Sequence, residues 1–142
     1  MNKSITDGKS IRVVVADDHE EIRNSICSLL AREDNISIVA QATNGREAIK
    51  CVEGLRPDVI LLDIMMPYMD GFQVINRMKN ASTKIIVVSM HMRTSFIRYA
   101  VKLGVEGYVL KSSLEEVVDA IQAVSQNRNY FSSAVLQVVK YD

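Results

Sequence analysis

The chain has 142 residues, close to the commonest size of a single domain and long enough to bury a proper core. Lysine plus arginine and aspartate plus glutamate each total 17, so a net charge of zero gives no general drive towards nucleic acid or an anionic membrane. No apolar run approaches the roughly 20 residues of a membrane span, and the opening ten residues lack the apolar middle of a signal peptide.

Residues 1–10 are polar and without periodicity, which predicts a flexible N-terminal tail. Ile11 to Ala16 is a β-branched strand that stops at Asp17-Asp18-His19-Glu20, and Ile22, Ile26, Leu29 and Leu30 then fall on one helical face. Cys27 lies in this helix and Cys51 in the next, both read as free thiols, which predicts a cytoplasmic location. Ile36 to Ala42 is a second strand. Asn44 and Glu47 have capping-box spacing for a helix that buries Ala48, Val52 and Leu55, with Gly54 and Pro57 closing it.

Val59 to Leu62 is an unbroken apolar run, the pattern of a strand covered on both faces, and it ends at a carboxylate, Asp63. Pro67 ends any extension of that strand. Asp70 and Gln73 then cap a helix from about Gly71, with Phe72, Ile75 and Met78 inward. Lys84 to Ser89 is a strand that ends in a hydroxyl. A helix from about Thr94 carries Phe96, Ala100 and Leu103 and stops at Gly104, while Arg93, Arg98 and Lys102 form a basic, solvated face. Glu106 to Leu110 is a short strand ending at Lys111. Ser112 and Ser113 with Glu115 and Glu116 form overlapping capping boxes for a helix burying Leu114, Val117, Val118, Ile121 and Val124.

Strands alternating with helices through short loops predict a doubly wound α/β fold with a parallel sheet of five strands and helices on both faces. In such a sheet every strand points the same way, so Asp17, Asp18, Asp63, Ser89 and Lys111 share one edge. Two like charges 4 Å apart repel by about 1 kcal/mol in water and about 4 at an effective dielectric near 20. Three acids, one lysine and one divalent cation sum to zero. Oxygen donors favour a hard ion that keeps waters, and Mg²⁺ fits best. A lysine and a hydroxyl suit a phosphoryl group, and a carboxylate can itself accept one. His19 and His91 read as surface side chains or supports rather than ligands.

The order Asp17-Asp18, Asp63 with Pro67 and Gly71, Ser89, Tyr108 and Lys111 resembles the receiver domain of bacterial two-component response regulators. Val-Val-Ser-Met-His at 87–91 and Gly-Tyr-Val-Leu-Lys-Ser-Ser at 107–113 are similar to the NarL/FixJ (LuxR-type) subfamily. The resemblance covers about residues 10 to 127 and implies a (βα)5 flavodoxin-like fold with strand order 2-1-3-4-5. It implies a receiver at 11–127, the start of an interdomain linker at 128–142, and an output domain outside this chain.

It further implies that Asp63 accepts a phosphoryl group from a sensor histidine kinase. Mg²⁺ would be held by Asp18, Asp63 and the backbone carbonyl of Met65, with Asp17 acting through a bound water. Lys111 would pair with Asp63 and then with a phosphoryl oxygen; Ser89 would move to another, and Tyr108 would swing into the space vacated. No enzyme activity is implied beyond self-phosphorylation and autodephosphorylation. The expected partners are the kinase, the chain's own C-terminal helix-turn-helix DNA-binding domain and a second copy on phosphorylation. Direct nucleic-acid binding by these residues and membrane contact are not expected. Many members have proline after the lysine, where this chain has Ser112.

Three alternatives stay open. The chain could be a stand-alone receiver. It could be an aspartyl-phosphate phosphatase of the haloacid dehalogenase type, although Met65 stands where that family commonly has a second acid. A flavodoxin-like FMN binder has the same architecture, but two acids in its first loop would repel a phosphate.

Overall fold

The computed structural model describes residues 10–90 and 92–140; the expected tail over residues 1–9 and the reading of His91 lie outside the described residues. The elements in chain order are β1 (Ile11–Ala16), α1 (Glu20–Leu30), β2 (Ile36–Ala42), α2 (Gly45–Leu55), β3 (Val59–Leu62), α3 (Gly71–Arg77), β4 (Lys84–Ser89), α4 (Thr94–Lys102), β5 (Gly107–Leu110), α5 (Glu116–Ser125), β6 (Tyr130–Phe131) and α6 (Ser133–Lys140).

All pairings are parallel and the strand order is β2-β1-β3-β4-β5-β6, the expected order with one strand added. Sequence reading stopped at five strands because a two-residue strand leaves no periodic signal. Tyr130 and Phe131 pair with Gly107 and Tyr108, and Ser132 N–H donates to the Tyr108 carbonyl at 3.0 Å. The segment expected to begin a linker thus carries β6 and α6, with Val135 wholly buried and Val138 and Val139 packed on the core. A cleft of about 250 Å³ lies between α4 and α6, lined by Ile97, Val101, Val138 and Val139 with Arg98 and Lys102 at its rim.

The sheet divides the apolar residues between two clusters. Alternate side chains of β1 show why: Val14 and Ala16 pack with α2, α3 and α4, while Ile11, Val13 and Val15 pack with α1 and α5. β3 is buried along its whole length, as a strand covered on both faces must be.

Several expected boundaries differ. α2 continues through Gly54 and ends with Arg56 in the left-handed region at φ 47°, so neither Gly54 nor Pro57 is its cap. The capping boxes expected before α5 do not form: Lys111–Ser113 is a 3₁₀ turn, and α5 begins at Glu116 with no side-chain cap. Ile97, which the sequence reading did not name, is fully buried on α4 with Ala100, while Phe96 and Leu103 are partly buried against the same core. Phe96 and Tyr99 meet Phe72 edge-on, with ring centroids 5.4 and 4.9 Å away, which ties α4 to α3. The capping box at Asp70 and Gln73 forms as expected. The Lys111–Ser112 peptide bond is trans.

Candidate functional site

The strand register brings the acids together. Ala16 pairs with Leu62, so the residues that follow, Asp17 and Asp63, leave adjacent strands at one level. Asp17 N–H donates to Ala42 and Asp63 N–H to Ala16, which extends the ladder one residue into the loops and fixes both Cα atoms. Arg23 reaches back from α1 to the Asp17 carbonyl at 2.8 Å. On the β3 side Gly71 allows α3 to start against the strand end: a Cβ there would lie 2.6 Å from the Asp63 carbonyl oxygen and 2.7 Å from the Ile64 Cα. Gly45 does the same for α2, where a Cβ would lie 2.1 Å from the Met69 carbonyl oxygen.

Asp17 and Asp63 are almost wholly buried, at 2% and 3% exposure. Lys111, directly after β5 and with its side chain nearly covered, places Nζ 2.7 Å from Asp17 Oδ2 and 3.4 Å from Asp63 Oδ2. Its nearer partner is Asp17, whereas the family resemblance pairs it first with Asp63. The Lys111 ammonium is thus the positive charge that faces both buried Oδ2 atoms. Burial pushes the Asp63 carboxyl up from 3.8 to about 6, the Asp17 charge pushes the same way, and Lys111 and the Met65 N–H pull it down.

Asp18 has its side chain about one-third exposed, and Met65 is exposed on the loop after β3. Ser89, the last residue of β4, and Tyr108, the second of β5, are both fully buried. Their hydroxyls are hydrogen-bonded to each other; burial raises the Tyr108 pKa and that bond offsets part of the rise. Tyr108 already lies inside, with Val135 in the same cluster, in place of the outward position from which an inward swing would start.

The residue that sequence reasoning set aside is His19. Its Nδ1 lies 2.9 Å from Asp17 Oδ1, 3.2 Å from Asp18 Oδ1 and 4.0 Å from Asp63 Oδ2. One donor atom from each of Asp17, Asp18, His19 and Asp63 lies within 4.8 Å of the others. The available signal was its place directly after two acids at the N-cap of α1, where the chain turns and the alternation of a strand no longer sends neighbours to opposite faces.

Three carboxylates gathered against a single lysine have the donor chemistry of a divalent-cation site, so the residues fit Mg²⁺. The response regulator receiver domain family matches residues 13–122, a span that contains all of these groups. The chain is a response regulator receiver domain.

Its relatives place this receiver in the NarL/FixJ branch. It is 32% identical over 138 residues to the transcriptional regulatory protein DegU of Brevibacillus brevis, covering 95% of this chain and 58% of that one. It is 32% identical to the receiver domain of the putative response regulator NarL from Mycobacterium tuberculosis, with a TM-score of 0.81 over 84% of this chain and 99% of that one. A LuxR-family response regulator from Aurantimonas sp. SI85-9A1, 26% identical, matches with a TM-score of 0.87 over 94% of this chain and 97% of that one. The receiver spans 58% to 64% of the length of the curated relatives it matches.

Proposed function

We propose that this receiver accepts a phosphoryl group on Asp63 from a phosphohistidine of a sensor histidine kinase, with Mg²⁺ in the acid pocket. The observation that carries the reading is the burial of Asp17 and Asp63 side by side, with Asp18 within reach and the single lysine Lys111 facing both. Asp18, Asp63 and the Met65 carbonyl would hold the ion, and Asp17 would act at one remove. Bound Mg²⁺ supplies positive charge against the charge that builds on the transferring group.

Asp63 Oδ attacks phosphorus; the new P–O bond forms as the P–N bond to the kinase histidine breaks, giving an acyl phosphate. Lys111, 3.4 Å from Asp63 Oδ2, is close enough to follow the charge onto a phosphoryl oxygen. The hydroxyl of Ser89 is engaged with Tyr108, so a Ser89 that turns its O–H to the phosphoryl group changes what it offers Tyr108. Asp63 gains about one further negative charge on phosphorylation. The resulting rearrangement reaches β5, α4 and the elements packed on them.

In the full-length protein this switch would control a helix-turn-helix output domain and hence transcription in the cytoplasm, with a second copy of the receiver as a further partner. DegU, DesR and VraR carry regulator names consistent with that role. A phosphatase is disfavoured because Met65, exposed and without an acid group, holds the place of the second carboxylate such chemistry uses. The test is labelling by acetyl phosphate with Mg²⁺, followed by hydroxylamine. A receiver takes up one hydroxylamine-labile group per chain and releases phosphate slowly; sustained turnover of added phosphate esters would favour the phosphatase.

A further inference from the structure

The chain past α5 folds back onto the strand that carries Tyr108. Tyr130 N–H donates to the Glu106 carbonyl at 3.0 Å and Ser132 N–H to the Tyr108 carbonyl at 3.0 Å, while Leu110 N–H donates to Ser132 Oγ at 3.2 Å. β6 therefore grips the backbone of β5 on both sides of Tyr108. Gly107 admits it, since a Cβ there would already lie 3.0 Å from the Tyr130 carbonyl oxygen. The Tyr130 hydroxyl donates to Glu116 Oε1 at 2.8 Å and ties β6 to α5 as well. α6 then packs on α4, and its Val135, wholly buried, joins Tyr108 and Ile97 in one apolar cluster. Tyr108 is thus held at its backbone by β6, shares its cluster with α6, and bonds Ser89 through its hydroxyl.

We propose that residues 130–140 form a latch that keeps Tyr108 inward at Ser89, so that seating of α6 and phosphorylation of Asp63 favour each other. The inference rests on the phosphoacceptor reading above and deepens it by assigning an element that the switch moves. The sign comes from the hydroxyls. A serine has one O–H to give and lone pairs to receive. When Ser89 gives its O–H to a phosphoryl oxygen, its own oxygen can still accept from Tyr108, provided the ring stays inward. A ring turned outward gives up that acceptor and leaves its place in the core empty. Such a turn reaches solvent only by opening the packing that Val135 completes, so a seated α6 opposes it. By linkage, a phosphoryl group must then tighten α6 by the same factor by which α6 favours the phosphoryl group.

The experiment uses the full chain, with beryllofluoride and Mg²⁺ as the phosphoryl mimic, and reads hydrogen exchange by mass spectrometry. Exchange over residues 131–140 should slow by about five-fold or more when beryllofluoride binds, the lower end of the range for coupled sites. Val135→Ala, which loosens α6, should weaken beryllofluoride binding by about five-fold in calorimetry. Leu136→Ala, on the exposed side of α6, should leave both readings at parent values. Unchanged or faster exchange at 131–140 with beryllofluoride bound overturns the latch and leaves the phosphoacceptor reading standing. So does parent-like affinity in a Val135→Ala variant whose 131–140 exchange has quickened. A parent that does not take beryllofluoride with Mg²⁺ overturns both. The exchange arm needs no substitution, so it decides even where Val135→Ala fails to fold.

Discussion

Asp63 carries its charge at a cost. Its carboxyl is raised from 3.8 to about 6 by burial first and the neighbouring Asp17 second, so the folded state binds a proton more tightly than the unfolded chain. The sign follows from linkage: below pH about 3.8 the group is neutral in both states, and the destabilisation grows as pH rises towards about 6 and is full above it. Two pH units correspond to about 3 kcal/mol. Asp63→Asn removes that cost, so with chelator at pH 7.5 its thermal midpoint should exceed the parent's by several degrees, and the gap should close below pH 4. A gap independent of pH would mean that the charge of Asp63 is not the cause. Mg²⁺ should stabilise the parent and not the variant. At this scale the acids, Ser89 and Lys111 were legible as strand-end residues, because parallel strands deliver their ends to one edge, while Tyr108, inside β5, was legible only through the family resemblance. His19 was not, since its position depends on how the loop turns after Asp18, which no periodicity encodes.

At the scale of elements, apolar periodicity located β1 to β5 and α1 to α5, and cap chemistry located the start of α3. Helix ends were less legible because packing overrides local preference. α2 runs past Gly54 to Arg56, and the two serines before α5 enter a 3₁₀ turn, not a cap. Gly71 was legible as a helix start but not as a spacer, since only the fold shows that a Cβ there would meet the backbone of Asp63 and Ile64 at 2.6 and 2.7 Å. Backbone cannot yield as a flexible side chain does. Gly71→Ala should therefore destabilise the receiver by about 2 kcal/mol in urea unfolding and also slow phosphoryl uptake. A variant with parent-like stability and uptake would show that the approach of α3 to β3 is unimportant.

Across the whole molecule, the described C-terminal residues belong to the sheet that carries the site. β6 pairs with β5, Ser132 Oγ accepts from Leu110 N–H at 3.2 Å, and Val135 is wholly buried in the cluster containing Tyr108 and Ile97. Val135, Val138 and Val139 fall at helical spacing in the sequence, but that spacing does not say which surface the face covers. Val135→Ala should cost about 2–3 kcal/mol. Hydrogen exchange should quicken at residues 130–140 before it does in β1 and β3, because the outer edge of the sheet can open alone; uniform loss of protection would show a single cooperative unit instead. The pocket itself is tested most directly by intact mass after incubation with acetyl phosphate, with Mg²⁺ and with chelator. One phosphoryl group should be added with Mg²⁺, none with chelator, and none to Asp63→Ala. Equal labelling of Asp63→Ala, or labelling indifferent to chelator, would contradict the account.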